Sequence, residues 1–164
     1  MSLLDVQNLK MHYPVRGGVF YTTQAVVKAV DGISFKLEQG ETLGLVGESG
    51  CGKSTVAKSV VRLLKPTDGK VVFEGNDITR SGARALRRLR REMQMVFQDP
   101  AESLNPRHTI GQILEEPYVV QKLGTRAERG EWASDLLRRV GMPADAVHRY
   151  PFEFSGGQRQ RSGI

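Results

Sequence analysis

The stretch GESGCGKST, residues 47–55, lies between a short apolar run at 42–46 and a run whose apolar residues recur at helical spacing. Gly47, Gly52, Lys53 and Ser54 satisfy the pattern G-x-x-x-x-G-K-[ST], with Gly50 as an additional glycine inside it. The spacing has a physical reason. A strand ending at Val46 must turn sharply into a helix that starts near Lys53, and glycines let the backbone take left-handed angles with its N–H groups pointing inward. Those groups, backed by the start of a helix, make a seat for phosphate oxygens. Lys53 adds a point charge, and the Ser54 hydroxyl is placed to ligate Mg²⁺. Glu48, Ser49, Cys51 and Thr55 complete the expected nucleotide-binding stretch. Cys51 reads as a small residue in a free position of the loop, whose alkylation is expected to block the phosphates.

Working outward, residues 3–13 read as a strand that the Pro14–Gly18 segment breaks, and residues 26–38 as a second β segment. Residues 42–46 and 93–97 are short and apolar, as buried parallel strands are. Val56, Ala57, Val60, Val61 and Leu64 carry a helix from Lys53 that the Pro66–Gly69 turn stops. Residues 70–75 read as half of a hairpin, and 84–92 as an amphipathic helix. Beyond Gln98 the pattern changes to two helical stretches, near 109–122 and 126–140, with no convincing strand. These elements predict a mixed core at 1–97 and a helical subdomain at 98–164.

Composition bounds the class without choosing the function. The chain has 164 residues, 39% hydrophobic and 26% charged, ordinary for a globular protein, with no stretch approaching a membrane span or a secretory leader. One cysteine makes no internal disulfide. A net charge of +6 fits nucleic acid, anionic lipid or anionic small molecules equally well. Residues 84–91 hold five arginines, but alternating leucines and the lack of interleaved aromatics favour a solvated helix face over a nucleic-acid interface. His12, His108 and His148 are scattered and give no metal-ligand spacing, so no metal beyond the Mg²⁺ of MgATP is expected.

Two further motifs narrow the phosphate loop to one family. Residues 154–160, FSGGQRQ, resemble the signature motif of ATP-binding cassette proteins, and residues 96–100, VFQDP, resemble the glutamine loop that the family carries between loop and signature. The resemblance implies a phosphate-loop NTPase (RecA-like) α/β core with an antiparallel β subdomain and a helical subdomain. It implies ATP and Mg²⁺ as ligands, with Gln98 approaching Mg²⁺ and the attacking water. Ser155, Gly156, Gly157 and Gln158 would close on ATP held by a second cassette, identical or different. Tyr13 is the candidate for the aromatic that stacks on adenine, with Phe20 and Tyr21 as rivals inside an apparent insertion at 14–28 and core packing as the bland reading of Tyr13. A phosphate-loop kinase does not carry the signature.

Residues 98–117 look like the segment characteristic of cassettes serving dipeptide, oligopeptide, nickel and glutathione importers. That branch implies an importer subunit lying peripherally on the cytoplasmic face of the inner membrane. It implies permease subunits docking within residues 99–122, and indirectly a periplasmic or extracellular solute-binding protein. The resemblance covers the whole chain but only the first two thirds of a complete cassette. The strand ending in Asp and Glu, and the later histidine, are not in the sequence, and Ser162 replaces a usual aliphatic. A fragment that is barely active, and poorly soluble or self-associating through an open sheet edge, is therefore expected. Two other readings remain open: a non-catalytic nucleotide-binding scaffold, and a soluble cassette protein of the phosphonate-breakdown type.

Overall fold

A computed structural model describes residues 2–17, 22–97 and 103–158. The chain divides into two compact units, Met1–Met95 and Val96–Ile164, and each is taken by itself.

The first unit is built on a long antiparallel hairpin, β1 (Leu4–Gly17) against β2 (Thr22–Leu37), with β3 (Asp68–Phe73) on the other edge of β1 and the short β4 (Asn76–Asp77) beyond it. The sheet order is β2-β1-β3-β4. Alternation along β1 puts Leu4 and Val6 into the core, and the parity then switches so that Leu9 and Met11 are the buried pair. The switch is an irregularity in register at Asn8, whose φ of +47° bends the strand and whose N–H donates to Ser34 Oγ at 2.8 Å. Gly69 is demanded by the same bend, because a Cβ there would stand 2.3 Å from the Asn8 carbonyl oxygen.

Helix α1 (Lys53–Val60) contributes Val56 and Val60 to the cluster formed by Leu4, Val6, Leu9, Met11, Val30 and Val71. Each such side chain is worth about 1.5–3 kcal/mol in removal from water, so this contact fixes α1 on the sheet. Helix α2 (Ala83–Leu89) buries no residue fully, as its arginine content predicts, and only Leu89 packs partly against the core.

Three expectations are corrected. Residues 42–46 and 93–97 are not strands, and the described sheet is antiparallel throughout. Val46 is 93% and Val96 60% exposed. An apolar run becomes a parallel strand only where neighbours pair with it, and neither segment has a place in the sheet. β1 is also not broken at Pro14, which pairs with Val26, and the ladder runs on to Gly17 opposite Thr22. The pairing of β3 with β1 ends at Lys10, so beyond it no strand among the described residues pairs with that side of β1, and a missing proline N–H there costs no described ladder bond.

In the second unit, α3 (Ile110–Gln121) and α4 (Arg126–Arg139) each start with a capping box. Thr109 N–H donates to Gln112 Oε1 at 2.9 Å and Gln112 N–H back to Thr109 Oγ1 at 3.3 Å; Thr125 and Glu128 repeat the arrangement. Two short 3₁₀ turns, Ala144–His148 and Pro151–Glu153, lead to Phe154. The core here is Ile110, Leu137, Met142, Ala146 and Phe154. No helix among the described residues is long and apolar enough to cross a membrane.

Candidate functional site

The glycine loop is positioned by the hairpin beneath it. Gly50 and Gly52 have φ of +81° and +98°, the left-handed region that a side chain resists. Gly52 is doubly constrained: a Cβ would stand 2.3 Å from the Ala29 carbonyl oxygen and 3.8 Å from Val30 Cγ2. The loop is thus seated against β2 where the register with β1 slips between Met11 and His12. Gly52 is also the N-cap of α1 and brings no side chain to cap it. The first-turn N–H groups of α1, which have no carbonyl partner within the helix, are left for whatever the loop binds.

Lys53 turns back over this loop. Its Nζ donates to the Gly47 carbonyl at 2.7 Å and the Glu48 carbonyl at 2.6 Å, and lies 3.6 Å from Cys51 Sγ. All three partners belong to the loop, so the ammonium charge is held inside it with no carboxylate partner among the described residues. Glu48, Ser49, Gly50, Cys51 and Ser54 are exposed, while Thr55 is half-buried. Uncapped N–H groups, an uncompensated cation and an exposed hydroxyl at Ser54 form a donor set suited to a polyphosphate and its divalent ion.

Tyr13 is 38% exposed on β1 and pairs with Val27, two residues beyond the Met11–Val30 pair on which Gly52 rests. The same stretch carries an ion cluster. Lys28 Nζ donates to Asp31 Oδ2 and His12 Nε2 meets Asp31 Oδ1, both at 3.0 Å. These bonds, Lys28 first, hold the Asp31 carboxyl below its ordinary value. Phe20, Tyr21 and Gln98 lie outside the described residues, as do residues 159–164 with Ser162.

The motif at 154–158 is anchored from behind. Phe154 is buried in the core of the second unit, and the chain then emerges at Ser155 to begin a helical turn at Gly156. Ser155 donates to Gln158 Oε1 from its N–H at 3.0 Å and from its hydroxyl at 3.2 Å. A Cβ on Gly156 or Gly157 would meet nothing within 4 Å. Among the described residues no crowding demands glycine at either position, and both are exposed.

Two contributors were not read from the sequence. Ala29 acts through its carbonyl, a main-chain atom that no residue type announces. Arg62, just past α1, is buried and ties that helix to residue 78; its signal is a long charged residue where a helix-terminating glycine is the norm.

The family model described as ABC transporter matches residues 30–164. The chain is 50% identical over 164 residues to the oligopeptide transport ATP-binding protein AppF of Bacillus subtilis, covering 99% of this chain and 50% of that protein. It is 54% identical over 163 residues to the probable peptide ABC transporter ATP-binding protein y4tS of Sinorhizobium fredii, covering 99% and 46%. The chain spans about half the length of these curated relatives. Among solved structures, the dimeric post-hydrolysis state of the ATP-binding cassette MJ0796 bound to ADP and Pi matches with a TM-score of 0.80 at 26% identity, over 98% of this chain and 66% of that one. With phosphate-type loop, signature-type turn and family match in agreement, the chain belongs to the ABC transporter family.

Proposed function

We propose that this chain is the nucleotide-binding part of an ATPase subunit that powers peptide import, and that the intact protein couples ATP binding and hydrolysis to transport. The observation that carries the reading is Lys53, whose ammonium is held by the Gly47 and Glu48 carbonyls at the mouth of an uncapped helix. A cation at a helix start adds its charge to the direction that first-turn N–H groups give, the combination that binds phosphate. The peptide branch is supported by the names of the relatives at 50% and 54% identity.

In this reading residues 1–97 hold the nucleotide and residues 98–164 carry the glutamine loop, the helical subdomain and the signature. Residues Gly47 to Thr55 hold the phosphates, Lys53 supplies charge to them, and Ser54 ligates Mg²⁺. Mg²⁺, when bound, neutralises phosphate charge. Gln98 orients water, and Tyr13 stacks on the base. Ser155, Gly156, Gly157 and Gln158 serve the nucleotide of a second cassette, the role for which two uncrowded glycines facing outward are suited. The partners are permease subunits, the second ATPase and, through the permease, a solute-binding protein, with the subunit peripheral on the cytoplasmic face of the membrane.

The test is uptake of a labelled oligopeptide into vesicles that contain the full-length protein, its second ATPase and its permease. ATP-dependent uptake that Lys53→Ala abolishes is expected. Uptake of nickel or glutathione but not peptide would overturn peptide as the solute while keeping the branch, and uptake insensitive to Lys53→Ala would overturn the function.

A further inference from the structure

Helix α1 ends in a Schellman motif: Arg62 N–H donates to the Ser59 carbonyl at 3.1 Å, Leu63 N–H donates to the Lys58 carbonyl at 2.8 Å, and Arg62 itself is left-handed at φ +58°. That position favours glycine, and a branched or long residue there carries backbone strain. Arginine nonetheless occupies it and is 7% exposed. Its Nε donates to the Ile78 carbonyl at 2.9 Å and its Nη1 to the Leu64 carbonyl at 3.3 Å. Burial disfavours its charged form. A strained backbone and a buried cation are retained together, so the side chain does something that helix termination alone does not require.

What it does is visible from its partners. Ile78 continues from β4, its N–H donates to the Val71 carbonyl at 2.9 Å, and its side chain is in the core. The guanidinium therefore ties the far end of α1 to the β3–β4 side of the sheet. At its near end, α1 starts at Gly52, pressed against Ala29 on β2. Contacts at both ends of this 8-residue helix oppose its sliding or tilting along the sheet. Arg62 thereby sets where the first-turn N–H groups and Lys53 present themselves.

We propose that Arg62 is a positioning residue for nucleotide binding, acting through α1 on the Gly47–Thr55 loop. The proposal rests on reading that loop as the nucleotide site. The loop touches phosphate in ground and transition states alike, so its misplacement weakens uniform binding, raising KM with little change in kcat.

Arg62→Gly separates the two roles, because glycine relieves the left-handed strain and keeps the Schellman turn. In the full-length protein, Arg62→Gly is expected to weaken MgATP binding about tenfold, with KM raised to match and kcat within about threefold. Arg62→Lys restores only part of the affinity, since a point charge replaces a planar fork. Wild-type affinity in Arg62→Gly would overturn the proposal. If Arg62→Gly does not fold, Arg62→Lys decides: weakened affinity at unchanged melting temperature supports positioning, and unchanged affinity overturns it. Lys53→Ala runs alongside: wild-type protein that binds no MgATP, or Lys53→Ala that binds as well as wild type, overturns the loop reading itself.

Discussion

The loop at Gly47–Thr55 and the turn at Phe154–Gln158 are both glycine-opened helix starts, yet they are built on opposite terms. Gly52 is hemmed in by the Ala29 carbonyl and held at φ +98°, whereas Gly156 and Gly157 have nothing within 4 Å of a Cβ and no positive φ. The loop also encloses its own cation, Lys53, while the side chain that bonds Ser155 at the turn is the neutral Gln158. In the proposed function the first is an anion seat and the second, anchored behind by Phe154 and with two exposed glycines in front, is half of a site shared with a second cassette.

The largest expected effect comes from removing that anchor. Phe154 is 4% exposed, and Phe154→Ala is expected to cost about 3–5 kcal/mol in unfolding free energy, read by denaturant titration of the second unit's transition. Exposed Phe152 is the control, and its alanine variant should leave the transition in place. Next in size is Gly52→Ala, where the left-handed backbone alone costs about 1–3 kcal/mol and the collision with Ala29 adds to it. MgATP binding should vanish with it, as calorimetry would show. Gly157→Ala is the contrasting case: stability should stay within about 0.5 kcal/mol, while ATP-dependent pairing of full-length subunits is lost in light scattering. A large destabilisation by Gly157→Ala, or none by Gly52→Ala, would erase the distinction between the two sites.

The smallest effect is acid sensitivity. Asp31 and Glu128 are both held below their ordinary values, Asp31 chiefly by Lys28 and Glu128 chiefly by the Thr125 N–H at the start of α4. Carboxylates lowered on folding contribute stability that is complete above their unfolded-state values and lost as pH falls through the folded ones. Melting temperature should therefore be flat above about pH 5 and fall below about pH 4. Glu128→Gln should shrink the fall without moving its onset upward.

The two helices of the second unit were legible as stretches near 109–122 and 126–140, because helical patterning is local; the capping boxes of Thr109 with Gln112 and Thr125 with Glu128 that start them came only with the structure. The two apolar runs at 42–46 and 93–97 misled for the opposite reason. Whether such a run is a strand depends on a neighbour elsewhere in the chain, and apolar content says nothing of that. Pro14 misled likewise, since its tolerance follows from β3 leaving β1 at Lys10. In the loop, the glycine spacing announces left-handed backbone, and Gly50 and Gly52 have it. The reason Gly52 has no alternative, a carbonyl 23 positions earlier in the chain, appears only once the hairpin and α1 are packed together.

The most direct test of the central claim is a calorimetric titration of MgATP into the full-length protein and its Lys53→Ala variant at matched folding. Saturable binding by the wild type with one nucleotide per subunit, lost in Lys53→Ala while the melting temperature is kept, is the predicted result. Equal binding by both proteins would contradict it and move the nucleotide away from residues 47–55.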